Sequence, residues 1–277
     1  MTDIPLAAAG LHGHHTHDEL ALSAILPRQA KTVHDTGLPP RLVTELVVKT
    51  LHAGGKTPLP VLSGKLKLPV SVLREVLSQL IAEQQAEVAW CGDSDIDVQY
   101  QLTAIGQRTA ADYLAQSRYV GPAPVPMALY KTVVERQSLR QPGMPRVNRA
   151  ELAALLAEDG LEAPVREMIG AALHAQRALL LYGPSGSGKT TLARKLGRLL
   201  QGAIAVPYAI LAERQIIQVH DPLLHQAAPL PRQLDERRSG DARWAICQRP
   251  LVQVGTSLTR DMLDLREDPG AGVLRPP

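Results

Sequence analysis

The residues best suited to chemistry are Gly183-Pro184-Ser185-Gly186-Ser187-Gly188-Lys189-Thr190. Their spacing is G-x-x-x-x-G-K-[ST], the phosphate-binding loop known as Walker A. A triphosphate carries several negative charges, and backbone N–H groups must wrap it closely. Side chains would block that approach, so glycine at 183, 186 and 188 is what the chemistry needs. Lys189 places a point charge on the β- and γ-phosphates. The Thr190 hydroxyl is suited to Mg²⁺, and the helix that begins here aims its positive dipole end at the anion. The expected nucleotide site is therefore Gly183, Pro184, Ser185, Gly186, Ser187, Gly188, Lys189, Thr190 and Thr191. Its cofactors are ATP and Mg²⁺, the metal being reached by Thr190 through the nucleotide.

The flanks of the loop follow the order such a site requires. Ala178-Leu179-Leu180-Leu181-Tyr182 is a short apolar run and predicts a buried parallel strand. After the loop, Leu192, Leu196, Leu199 and Leu200 form the apolar stripe of a helix. Helices are also expected at 149–158 and 163–175. Beyond Gly202 the pattern predicts short strands at 203–206, 215–219, 243–247 and 251–254, a loop over 222–240, a short helix at 257–265 and loop over 266–277.

Composition sets the wider limits. A chain of 277 residues, 45% hydrophobic, can hold two modest domains. Aromatic residues make up 3% and Phe is absent, so the cores must be built from Leu, Val, Ala and Ile. No apolar run approaches the ~18 residues of a membrane span. The N-terminus lacks the features of a secretory signal, and a cytoplasmic protein is expected. Cys91 and Cys247 form no disulfide or metal framework, and both read as small buried apolar residues.

Four segments position the loop. Residues 1–37 read as a flexible tail, with His12, His14, His15 and His17 as a compositional hint of metal binding. The hint is weak, because a solvated tail offers no second layer of groups to hold a metal. Residues 38–118 predict helices at 40–53, 59–66 and 69–83, a hairpin at 86–102 and a closing helix at 103–116. That order is a winged-helix pattern, a variant of helix-turn-helix. The segment balances eight basic against eight acidic side chains, and its hairpin tip carries Asp93, Asp95 and Asp97. A surface that neutralises DNA phosphates would be basic there, so a protein contact is favoured over a nucleic acid. Residues 119–150 form a proline-rich linker with a helix over 127–141. Five basic side chains stand against one acid in it, a local charge of +4 that reads as a solvated face.

With these pieces in place, the chain resembles a family of uncharacterised bacterial AAA-type ATPases, predicted to be chaperone-like and associated with Flp pilus assembly. The resemblance rests on Tyr100-Gln101-Leu102-Thr103-Ala104-Ile105-Gly106 and on Arg118-Tyr119-Val120-Gly121-Pro122-Ala123-Pro124-Val125-Pro126. It extends through Leu181-Tyr182-Gly183-Pro184 with Gly188-Lys189-Thr190, 216–225 and Asp261-Met262-Leu263-Asp264-Leu265-Arg266. It implies an AAA+ fold, Mg-ATP binding and ring assembly. Family members continue into a strand ending in the paired acids of Walker B. Here Pro277 follows Gly183 by only 94 residues, and a strand–helix–strand unit takes about 30. Asp221, at the end of Ile216-Ile217-Gln218-Val219-His220-Asp221, is the one catalytic candidate placed like a Walker B acid.

The expected fold is thus α/β. An incomplete P-loop NTPase (AAA+-like) parallel-sheet domain at 151–277 follows an α+β winged-helix domain. The expected function is ATP binding that drives or regulates a protein client or self-association, with hydrolysis doubtful. The alternatives are a winged-helix nucleic-acid regulator controlled by ATP, and a remnant of a longer ATPase without activity of its own.

Overall fold

The computed structural model describes residues 25–141, 147–197, 199, 202–228, 240–255, 257–268, 270 and 272–276. The chain is a mixed α/β protein. Its N-terminal unit forms where periodicity predicts it. Helix α1 (Pro40–Gly54) starts on a proline, whose fixed φ suits a first turn, and ends at Gly55, φ 64°. Strand β1 (Thr57–Pro58) leads into α2 (Leu59–Leu66), and α3 (Val70–Ala82) follows Pro69. Strands β2 (Ala86–Cys91) and β3 (Val98–Leu102) pair antiparallel, with β1 on the free side of β3. Helix α4 (Ala104–Gln116) closes the unit. Its cap is Thr103, whose Oγ1 accepts the Gly106 N–H at 3.2 Å. The apolar stripes of α1, α2 and α3 meet in one core that includes Leu46, Leu51, Leu62, Leu73, Leu77 and Leu80.

The second half packs onto this core through a sheet. Strand β4 (Val125–Pro126), inside the proline linker, precedes α5 (Met127–Arg136). Helices α6 (Arg149–Leu155), α7 (Ala163–His174) and α8 (Lys189–Gly197) come next. Strands β5 (Ala203–Pro207), β6 (Ala209–Ala212), β7 (Gln215–Gln218), β8 (Trp244–Gln248), β9 (Arg266–Asp268) and β10 (Val273–Arg275) complete the chain. Five of the strands form a sheet in the order β4-β6-β7-β10-β9. The β4/β6 and β7/β10 pairs are parallel, while β6/β7 and β10/β9 are antiparallel. The sheet is therefore mixed, not the parallel one expected. The cause is local: β6 and β7 are joined by two residues, which allows only an antiparallel hairpin.

Period-two alternation gives this sheet two buried faces. Ala209, Leu211, Ile216 and Val273 join the N-terminal core. Their neighbours Ile210, Ala212, Ile217 and Leu274 join a second core with Val125, Val133, Trp244 and Ile246. Strands β5 and β8 pair antiparallel as a separate ribbon. A third, smaller cluster gathers Leu152 of α6, Leu156 just after it, Ile169 of α7 and Leu196 of α8. The strands after Gly202 thus pack with 38–126, and the glycine loop rests on helices.

Several expectations are corrected. Residues 178–182 form no strand, and Leu180 and Tyr182 are 86% and 90% exposed. An apolar run becomes a strand only when a neighbouring edge takes its hydrogen bonds, and here none does among the described residues. Residues 251–254 are likewise unpaired and exposed, whereas 266–275, expected as loop, contains β9 and β10. The tail ends earlier than its composition suggests: Ala30 and Val33 are buried in the N-terminal core. Val33 also donates its N–H to Glu75 Oε2 at 2.9 Å. His12, His14, His15 and His17 lie outside the described residues. Cys247 is buried, but Cys91 is exposed at the end of its strand. Among the described residues no helix is long and apolar enough to cross a membrane.

Candidate functional site

The loop at 183–191 is shaped by its glycines. Gly183, Gly186 and Gly188 have φ of 148°, 80° and 79°, conformations that other residues adopt only under strain. A Cβ at Gly186 or Gly188 would meet nothing within 4 Å, so backbone direction, not crowding, requires glycine there. The turn is tied internally: Ser187 Oγ donates to the Pro184 carbonyl at 3.0 Å.

Lys189 opens α8 and folds back across the turn. Its Nζ donates to the Pro184 carbonyl at 2.6 Å and to Ser187 Oγ at 3.2 Å. An ammonium has three donors, so one is left for a ligand. The backbone N–H groups of 185–191 donate to none of the described residues; those of 189–191 belong to the open first turn of α8, and those of 185–188 to the glycine turn before it. No acid stands in the first turn of α8, and its partial positive charge is uncompensated locally. The residues from Tyr182 to Thr191 are exposed, apart from half-buried Lys189. The structure therefore brings together every predicted loop residue in one solvent-facing turn.

What holds this turn was only partly visible in the sequence. Leu192 and Leu196 of α8 pack on Leu152, Val165 and Ile169 as their stripe predicts. The polar supports were missed because they come from distant segments. Lys195 pairs with Asp159, and Arg194 Nε donates to Gln253 Oε1 at 2.8 Å. Leu251 lies so close to Gly197 that a Cβ there would fall 2.6 Å from its side chain.

Asp221 does not join the loop. Its carboxylate accepts the Leu223 N–H at 2.8 Å and its N–H donates to His225 Nδ1 at 2.9 Å, so its polar groups organise their own turn. Asp221 follows β7, in the sheet that packs on the N-terminal core, whereas α8 belongs to the helical cluster. Among the described residues no group of three His, Cys, Asp or Glu could hold a metal. Thr190, expected to meet a nucleotide's Mg²⁺, is exposed at the second position of α8. Comparison of the chain with protein families, with curated proteins and with solved structures found no match.

Proposed function

We propose that the chain is an ATP-binding protein of the AAA+ type, with 183–191 as its P-loop. One observation carries this reading. The full G-x-x-x-x-G-K-T spacing coincides with positive φ at Gly183, Gly186 and Gly188 and with Lys189 folded over the turn. The free amides donate to phosphate oxygens, Lys189 exchanges its carbonyl contact for the outer phosphates, and Thr190 meets the nucleotide's Mg²⁺. The unit at 38–118 acts as a winged-helix module that grips a protein, either a client or a second copy. Its hairpin exposes Val88, Trp90 and Ile96 beside the exposed acids Asp93, Asp95 and Asp97. Those acids repel a phosphate backbone, while exposed apolar side chains suit a protein surface.

Binding rather than turnover is the activity this loop supports. Phosphoryl transfer needs a residue that orients the attacking water, and Asp221 is engaged elsewhere. Equilibrium titration with a fluorescent ATP analogue and Mg²⁺ tests the reading. Lys189→Ala is expected to weaken binding at least about tenfold, or ~1.4 kcal/mol. Equal affinities in the two proteins would remove the loop from the nucleotide site. Phosphate release is expected not to exceed that of Lys189→Ala, and turnover above it would assign a water-orienting acid to the chain.

A further inference from the structure

Away from the glycine loop, a cavity of about 610 Å³ opens where 118–122 meets the ends of β7 and β10. Its size lies within the ~300–1,000 Å³ typical of small-molecule sites. Two arginines from distant parts of the chain line it: Arg118, shortly after α4, and Arg275, at the end of β10.

Sheet geometry brings Arg275 to this cavity. Strands β7 and β10 run parallel with Leu274 beside Ile217, and both of those side chains enter the second core. Successive side chains of a strand point to opposite faces. Arg275 and Gln218, each one residue further on, therefore share the face of Val273 and Ile216, which pack on the N-terminal core. Arg118 belongs to that side. Tyr119, the next residue, is buried in the same core, and its hydroxyl donates to the Pro122 carbonyl at 2.7 Å, which folds 119–122 into a closed turn. The hairpin of β9 and β10 rests against Arg118. A Cβ added at Gly272 would lie 3.6 Å from the Arg118 backbone nitrogen and 3.8 Å from its Cβ.

A guanidinium has five N–H donors. Arg275 commits part of its fork to Asp268 at 2.8 Å, and its side chain is still 49% exposed. Arg118 is exposed and pairs with none of the described acids. Among the described lining residues none is an acid, and those on either side of Gly270 are Pro269 and Ala271, which carry no charge. Like charges gathered at one cavity draw an anion between them. One fork satisfies both oxygens of a carboxylate. Two forks from separate segments suit the three terminal oxygens and double charge of a phosphate monoester.

We propose that this cavity binds the phosphate group of a small monoester. Arg118 and Arg275 take its oxygens from two sides, Gln218 adds an amide donor, and the organic part of the ester lies against Pro122 and Pro222. The site is separate from the glycine loop, none of whose residues lines it.

The test uses phenyl phosphate as probe and benzoate as its carboxylate counterpart. Phenylglyoxal modifies accessible guanidinium groups, and mass spectrometry of the digested protein reads the rate at each arginine. Saturating phenyl phosphate is expected to slow modification of Arg118 and Arg275 at least about tenfold. Exposed Arg108, on α4, and exposed Arg194, in the helix that follows the glycine loop, should react as before. Benzoate is expected to bind at least about tenfold more weakly than phenyl phosphate. Arg118→Gln, at an exposed position, keeps a polar side chain without the charge and should weaken phenyl phosphate about tenfold. Unchanged rates at Arg118 and Arg275 would overturn the proposal, as would slowing at Arg194 in their place or equal affinity for the two anions. Those three measurements use the wild-type protein, so the result does not depend on any variant folding.

Discussion

A single side chain, Arg243, ties three distant segments together. It is 2% exposed, and its Nη1 donates to the carbonyls of Thr36 and Pro124 at 3.0 Å each. Those acceptors lie 207 and 119 residues away in the chain. Its remaining donors hold Asp241, whose own N–H donates to the Pro27 carbonyl at 2.9 Å. The N-terminal unit, the proline linker and the β5–β8 ribbon therefore meet at one guanidinium. Replacing it leaves a buried carboxylate without its partner, which typically costs ~3–5 kcal/mol. Arg243→Met is expected to lose that much stability in urea unfolding. Adding Asp241→Asn should recover part of the loss, because the stranded charge is gone while the turn's acceptor remains. A loss below ~1 kcal/mol, the size of an exposed pair, would mean that the fork is incidental. Nothing in the sequence around Arg243 marks it, because an arginine at the start of a short strand reads as surface charge and its acceptors are main-chain atoms. Lys189 is the opposite case: its neighbours in sequence are its partners in space, so its surroundings could be read from eight residues.

Among the elements, those held by local contacts were legible and those held by distant ones were not. The helices α1, α3 and α7 follow their apolar stripes, and Thr103 is a recognisable cap. Strands β9 and β10 have three residues each, too few to show a period, and β10 finds its parallel partner in β7, more than fifty residues earlier. The run at 178–182 misleads for the converse reason, being apolar but without a partner strand among the described residues. Two helix glycines give opposite predictions about the N-terminal unit. Gly106 lies in the first turn of α4, and a Cβ there would fall 2.0 Å from the Gln85 carbonyl oxygen. That oxygen also accepts the Thr103 N–H at 3.0 Å, so it cannot yield without loosening the cap. Gly106→Ala should destabilise by ~1–3 kcal/mol despite alanine's better helix propensity. Gly64 is exposed in α2, and a methyl group added there would meet nothing within 4 Å. Gly64→Ala should therefore stabilise by ~0.5–1 kcal/mol. Thermal unfolding of the two variants checks both signs, and a neutral Gly106→Ala would show that α4 can move away from β2 freely.

At the scale of the molecule, cohesion is unevenly shared, and the proposed nucleotide loop sits where it is least. Among the described residues the N-terminal core gathers twenty-five buried apolar residues, including Ala209 and Val273 from the C-terminal sheet, against four in the cluster beneath α8. Each fully buried aliphatic side chain contributes ~1.5–3 kcal/mol, so α1 and α3 should open only with the whole fold, whereas α6 to α8 can open alone. Amide hydrogen exchange is expected to be at least about tenfold slower in α1 than in α8, a difference of ~1.4 kcal/mol or more. Uniform protection across the two would mean that the helical cluster is locked to the rest by contacts stronger than its buried side chains supply. A ligand that binds only the closed loop adds a second term, about 2.7 kcal/mol at a hundredfold excess over its dissociation constant. Mg-ATP at that excess is therefore expected to slow exchange in α8 by roughly a hundredfold. At the same concentration Lys189→Ala, binding tenfold more weakly, should show a slowing of only about tenfold or less. Helix α1 slows as well in the wild type, because global unfolding also releases the ligand. Slowing in α1 alone would mean that α8 opens with nucleotide still bound, and would place the nucleotide on the N-terminal core. Slowing in neither helix would separate the glycine turn from ATP altogether. The comparison of the two proteins makes the measurement specific, because a general stabilising effect of added salt or magnesium would act equally on both.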